Sequence, residues 1–170
     1  MIARFAALSV IILAGVAAAP GLALRAAPGP CSSPPTATTA SYTMAASIGP
    51  QEEMYLPSEV KARHIKSGEI MLGGDMSMAQ KKPGTKIYHL EVHICDRGGV
   101  VVRGLKPVIV VNAAGQMAAM TVPAAIMVGI SEPMTDYHYG NDIVLKPGSA
   151  LTVKTTVKGQ TAVFHLTAPK

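Results

Sequence analysis

The chain has 170 residues, enough for one ordinary domain, and 15 Lys and Arg against 10 Asp and Glu. It is 49% hydrophobic but only 4% aromatic and 15% charged, with no Trp, 10 Met and 2 Cys. That balance excludes a charged disordered tail, a long coiled coil and a disulfide-dense mini-scaffold.

The hydrophobic excess is concentrated at the N-terminus. Arg4 precedes Ala6–Ala19, which is apolar apart from Ser9 and Gly15. Such a run suits the core of an export signal and is short against the ~20 residues of a spanning helix. Small residues follow, so residues 1–27 read as a signal peptide with cleavage between about Ala19 and Ala27. Residues 28–40, with Pro28, Pro30, Pro34 and Pro35 among Ser and Thr, read as a flexible tether. Pro30 directly before Cys31 is a poor lipidation signal. Cys31 and Cys95 can pair in an oxidising compartment, but sequence does not place the two sulfurs within bonding range.

From Ser41 onward, short β-branched runs alternate with Gly, Pro and Asn. The candidate strands are Tyr42–Ile48, Glu69–Leu72, Ile87–Cys95, Val100–Arg103, Val108–Val111, Ala125–Val128, Ile143–Leu145, Leu151–Val157 and Thr161–Thr167. Turn signals lie at Asp96-Arg97-Gly98-Gly99, Asn112-Ala113-Ala114-Gly115, Lys146-Pro147-Gly148 and Lys158-Gly159, the last joining a β-hairpin. One brief helix starts near Pro57. Residues 41–170 therefore read as an all-β domain, an immunoglobulin-like β-sandwich of seven to nine short strands. With few aromatics, Val, Ile, Leu, Ala and some Met fill its core.

The segment His89-Leu90-Glu91-Val92-His93-Ile94-Cys95 carries the chemistry. Side chains alternate along a strand, so Leu90, Val92 and Ile94 share one face. His89, Glu91, His93 and Cys95 share the other, and each is a metal ligand once deprotonated. Residues i and i+2 are about 7 Å apart, so one ion takes two neighbours here and needs ligands from elsewhere. Candidates are Met76 and Met78 behind Gly73-Gly74-Asp75, and the period-two set Met134, Asp136 and His138. Met127 lies in an apolar run and reads as core when taken alone. Imidazole with thioether favours copper, and added carboxylate admits iron, zinc or manganese. His64 and His165 are isolated and read as structural.

His89-Leu90-Glu91-Val92-His93-Ile94 and His138-Tyr139-Gly140-Asn141-Asp142-Ile143 resemble the two signature segments of bacterial periplasmic iron-uptake-associated proteins. The resemblance spans roughly Glu69–Leu145. It implies an immunoglobulin-like metal-binding sandwich, commonly a lipoprotein and a homodimer, that works beside a membrane ferrous-iron permease. It implies copper binding, with zinc, iron or manganese in some members. His89 and His138 match the family's imidazole ligands and Glu91 its carboxylate. Met127 matches its thioether, with Met134 as the alternative. The chain departs from the pattern in lacking the C-terminal insertion that supplies a further imidazole, and Cys95 stands where His is common. A dimer partner, or Met76 and Met78, would then complete the ligand set.

Lys and Arg are scattered, without the basic stripe and stacking aromatics that nucleic acid requires. No Ser–His–Asp set or paired-acid pattern points to hydrolysis, so binding rather than catalysis is expected. The expected protein is exported to a periplasm, cell envelope or medium and binds copper or iron for uptake or delivery. The alternative is a metal-free sandwich serving envelope structure or protein interaction.

Overall fold

A computed structural model describes residues 29–76, 79–131 and 136–170. The expected signal peptide and two expected ligands, Met78 and Met134, lie outside the described residues. In chain order the elements are β1 (Thr36–Thr38), β2 (Tyr42–Pro50), β3 (Met54–Tyr55), α1 (Pro57–Arg63), β4 (Glu69–Gly73) and β5 (Lys86–Asp96). There follow β6 (Val108–Ala113), β7 (Met120–Val122), β8 (Ala125–Gly129), β9 (His138–Leu145), β10 (Ala150–Val157) and β11 (Gln160–Thr167). Among the described residues, no helix is long and apolar enough to cross a membrane.

The strands form a β-sandwich, as the alternating β-branched runs predict. One sheet has seven strands in the order β1-β2-β5-β9-β8-β4-β3, and the other has four in the order β11-β10-β6-β7. Pairing is antiparallel except between β3 and β4. The total exceeds the seven to nine strands expected because β1, β3 and β7 are edge pieces of two or three residues, too short to show periodicity. Val100–Arg103 is not a strand. Asp96 Oδ1 accepts the Gly98 and Val100 N–H groups in a tight turn, and the return reaches β5 through one isolated bridge, Val101 to Cys95, flanked by the Asp96 N–H donating to the Val100 carbonyl and the Val102 N–H donating to the Ile94 carbonyl. The chain then turns away to meet the Tyr139 hydroxyl, which donates to the Val102 carbonyl and accepts from the Leu105 N–H.

Leu90, Val92 and Ile94 of β5 join Ile109 and Val111 of β6, Val153 of β10, Phe164 of β11 and Tyr139 of β9 in the apolar core between the sheets. Burial of these side chains drives the fold. The opposite face of the seven-stranded sheet is also covered at its centre. His89 and Cys95 are fully buried there, and so are His138 and Met127. β5 is therefore shielded on both sides.

The tether reading holds less well. Pro30–Ser32 form a short 3-10 turn, and β1 pairs with β2 from Thr36↔Ala45 to Thr38↔Thr43. Cys31 and Cys95 form a disulfide with Cα atoms 6.1 Å apart. This pins the segment across the outer face of β5 and removes Cys95 from the candidate ligands.

Gly140 of β9 faces Glu91 of β5 and Ala125 of β8. A Cβ at this position would lie 1.8 Å from the Leu90 carbonyl oxygen. Only glycine lets the two strands approach this closely. Gly140→Ala should therefore cost about 3 kcal/mol or more by forcing backbone apart, seen as a lowered Tm. Cys95→Ala, which opens a disulfide spanning 64 residues of sequence, should cost about 4 kcal/mol. Urea denaturation of the variant beside the oxidised parent measures it.

Candidate metal centre

Strand register assembles the site. On the outer face, His89 lies opposite Asp142 and Glu91 opposite Gly140 across β5 and β9. Met127 of β8 lies opposite His138 of β9, and Met71 of β4 lies opposite Met127. Glu69, two residues before Met71, shares this face and is 3% exposed. Gly140 and Ala125, side by side in the middle of the patch, leave space above the sheet for the longer side chains around them.

Three imidazoles occupy that space. The His138 ring stands edge-on to both His89 and His93, with centroids 5.5 Å away in each case. Each ring is held through Nδ1 by an acceptor. His89 Nδ1 is 3.0 Å from Asp142 Oδ1, His93 Nδ1 is 3.1 Å from the Tyr137 carbonyl, and His138 Nδ1 is 2.8 Å from the Asp136 carbonyl. Carbonyl and carboxylate oxygens only accept, so the hydrogen-bond network assigns the Nδ1 proton in all three rings. Each neutral ring therefore presents a bare Nε2 lone pair. His89 Nε2 and His138 Nε2 face each other at 3.3 Å. Two lone pairs at that distance repel unless a cation or a proton lies between them.

Carboxylates surround the rings. Ligand atoms of His89, Glu91 and His138 lie within 4.8 Å of one another, as do those of His93, Asp136 and His138. Glu91 Oε2 is 3.7 Å from His93 Nε2 and accepts a hydrogen bond from the Ser47 hydroxyl at 2.9 Å. Burial works against its charge, yet His93, His138 and Ser47 together bring the Glu91 pKa down to about 2. Glu69 Oε2 is 3.9 Å from His138 Nε2 and has no hydrogen-bond partner among the described residues. Burial, aided by Asp136 and Glu52, raises the Glu69 pKa to about 8 against the pull of His138. For His138 burial disfavours charge, but Asp136, Glu91 and Glu69 outweigh it and raise the pKa.

His89, Glu91, His93 and His138 are brought together as their spacing suggests. Met127 belongs to the same patch, on the side away from the apolar core, despite its apolar flanks. Met76 does not reach the imidazoles. It is 39% exposed and lines a separate cavity of about 460 Å3 together with Glu52, Tyr55 and Asp142. Asp142, Glu69 and Met71 were not among the expected ligands. Asp142 lies at i+4 from His138 along β9, a spacing that shares its face. Glu69 is a lone carboxylate opening an apolar strand, which is a fainter signal.

Compared with known proteins, the chain matches no family model, no curated protein and no solved structure.

The Glu69 carboxyl sets a sign for stability against pH. Between its unperturbed 4.5 and about 8, the folded state holds a proton that the unfolded state has released. This contribution is fully present below about pH 4.5 and is lost as pH rises through 8. Glu69→Gln should flatten the decline in metal-free stability across that window. Urea midpoints at pH 5 and pH 8, for parent and variant, measure the difference.

Proposed function

We propose that the protein is an exported metal-binding protein that holds a copper or iron ion for uptake or delivery. The observation that carries this reading is the bare Nε2 of His89 facing that of His138 at 3.3 Å, with each Nδ1 tied to an acceptor. Two imidazole nitrogens bound to one ion at 2.0–2.1 Å and a tetrahedral angle would be about 3.3 Å apart. Ligating histidines are usually oriented through the second nitrogen in the way that Asp142 and the Asp136 carbonyl orient these two. Glu91 is the nearest carboxylate, and Glu69 Oε2 offers a further oxygen with nothing else to bind. Met127 supplies a thioether beside His138. Imidazole with thioether favours copper, whereas the carboxylates keep iron, zinc and manganese within range.

Export and an oxidising destination are part of the proposal, supported by the apolar N-terminal run and by the Cys31–Cys95 disulfide. The resemblance to iron-uptake-associated proteins adds a membrane iron permease as recipient and a homodimer as the working form. Binding and release, rather than turnover, is the mechanism. The ligands are preset by hydrogen bonds in a buried patch, so little ordering is left for the ion to impose.

The protein should take up one Cu(II) or Cu(I) per chain. His89→Ala and His138→Ala should each weaken binding about 10-fold or more, and Asp142→Ala, which removes the acceptor that orients the His89 ring, about tenfold. Competition titration against a chelator of known affinity reads these values, with Cu and Fe tried separately. Uptake that is unchanged in the His89→Ala/His138→Ala double variant would refute the site.

A further inference from the structure

One side of the His patch opens to solvent, and it does so at His93 rather than at the His89–His138 pair. A cavity of about 310 Å3 is lined by Glu91, His93 and Asp136, with Gly29, Pro30 and Pro34 forming its wall. The opening follows from side-chain size. Ala45 and Ser47 of β2 are the cross-strand neighbours of His93 and Glu91, and neither is large enough to close the space above them. The wall is fixed by the Cys31–Cys95 disulfide and by the Ala46 N–H, which donates to the Pro35 carbonyl at 3.3 Å.

Within this cavity stand a bare imidazole nitrogen and two carboxylates. His93 Nδ1 is committed to the Tyr137 carbonyl, which leaves Nε2 toward Glu91 Oε2 at 3.7 Å. Asp136 is half-buried, its Oδ1 3.6 Å from His138 Nδ1, and a ligand atom of His93 lies within 4.8 Å of it. His89 and His138, in contrast, have no exposed surface at all. An ion bound between them must pass some other group first.

We infer that Glu91, His93 and Asp136 form a second, solvent-facing cation position, through which a divalent first-row metal ion reaches and leaves the buried His89–His138 pair. This inference rests on the metal-binding reading above. One imidazole and two carboxylates leave room for several waters, so the ion arrives only partly dehydrated. Carboxylates in a walled cleft also concentrate cations at its mouth. His138 belongs to both ligand groups, and Glu91, a member of the inner group, lies 3.7 Å from His93 of the outer one, which makes it the carboxylate that hands the ion inward.

A port alters the path of the ion but leaves its end states unchanged, so loading and unloading must slow together when it is removed. The test is stopped-flow mixing of the metal-free protein with Cu(II), followed by removal with EDTA. Tyrosine emission reports both, since the chain has 5 Tyr and no Trp, and Tyr137 directly follows Asp136. In His93→Gln and Asp136→Asn, the association and EDTA-removal rates should each fall about tenfold. Stoichiometry should stay at that of the parent, and the dissociation constant within about threefold. Rates within about twofold of the parent in both variants overturn the port while leaving the buried site intact. Loss of Cu(II) stoichiometry in variants whose metal-free Tm matches the parent also overturns it, because His93 and Asp136 would then hold the ion at rest. A parent protein that takes up none of Cu(II), Cu(I) and Fe(II) overturns the metal-binding reading and the port together.

Discussion

Three hydrogen bonds, each from a histidine Nδ1 to an oxygen that can only accept, govern the chemistry of the outer sheet face. A buried polar group that lacks a partner is costly, so each ring needs an anchor to remain inside the protein. By using Nδ1, the anchors set the tautomer and leave Nε2 bare. Burial then raises the cost of the lone pairs of His89 and His138, which have no exposed surface. The patch is therefore polarised toward cations by the same contacts that let it fold. Carboxylates and imidazoles answer each other here: against burial, His93, His138 and Ser47 hold the Glu91 pKa near 2, while Asp136, Glu91 and Glu69 raise that of His138. Glu69 responds in the other direction, to about 8, because burial, with Asp136 and Glu52 adding to it, outweighs the pull of His138.

The sandwich makes such a patch affordable. Its apolar core lies entirely on the other side of the seven-stranded sheet, filled by Leu90, Val92, Ile94 and their counterparts across the gap. Stability from that core is independent of the histidines, so the outer face is free to carry groups that oppose folding. Gly140 is the point where the two sides meet. It allows β5 and β9 to close up under the imidazoles, and it keeps its own outer position vacant for Glu91. Tyr139, one residue earlier and on the inner face, fastens the same strand to Val102 and Leu105.

The Cys31–Cys95 disulfide has a similar double role. Cys95 follows His93 by two residues on the same face, so the cross-link lands beside the histidines and not at a remote edge. It draws a Pro-rich segment over the sheet and gives the cavity at His93 a rigid wall. A segment that composition describes as a tether thus becomes part of the site's architecture. Proline-rich composition reports how stiff the local chain is, and it is silent about a covalent bond to a residue 64 positions away.

Much of this was legible in the linear chain, and the boundary has a physical origin. Period-two alternation in a strand is a local property, so the all-β class and the common face of His89, Glu91 and His93 follow from residue order alone. The His138-Tyr139-Gly140 segment is equally local, and so is its spacing to Asp142. Edge strands of two or three residues, such as β3 and β7, carry too few side chains to show a period. Val100–Arg103 bonds back to β5 only briefly, and the Val102 carbonyl accepts instead from a tyrosine hydroxyl 37 positions away. Met127 is apolar by its neighbours and belongs to the polar patch by its register with His138, while Glu69 enters it through register with β8. Register and cross-linking join residues that are distant in sequence. They arise from packing of whole strands, and for that reason the chain order names the ligand types while the folded sheet chooses which of them meet.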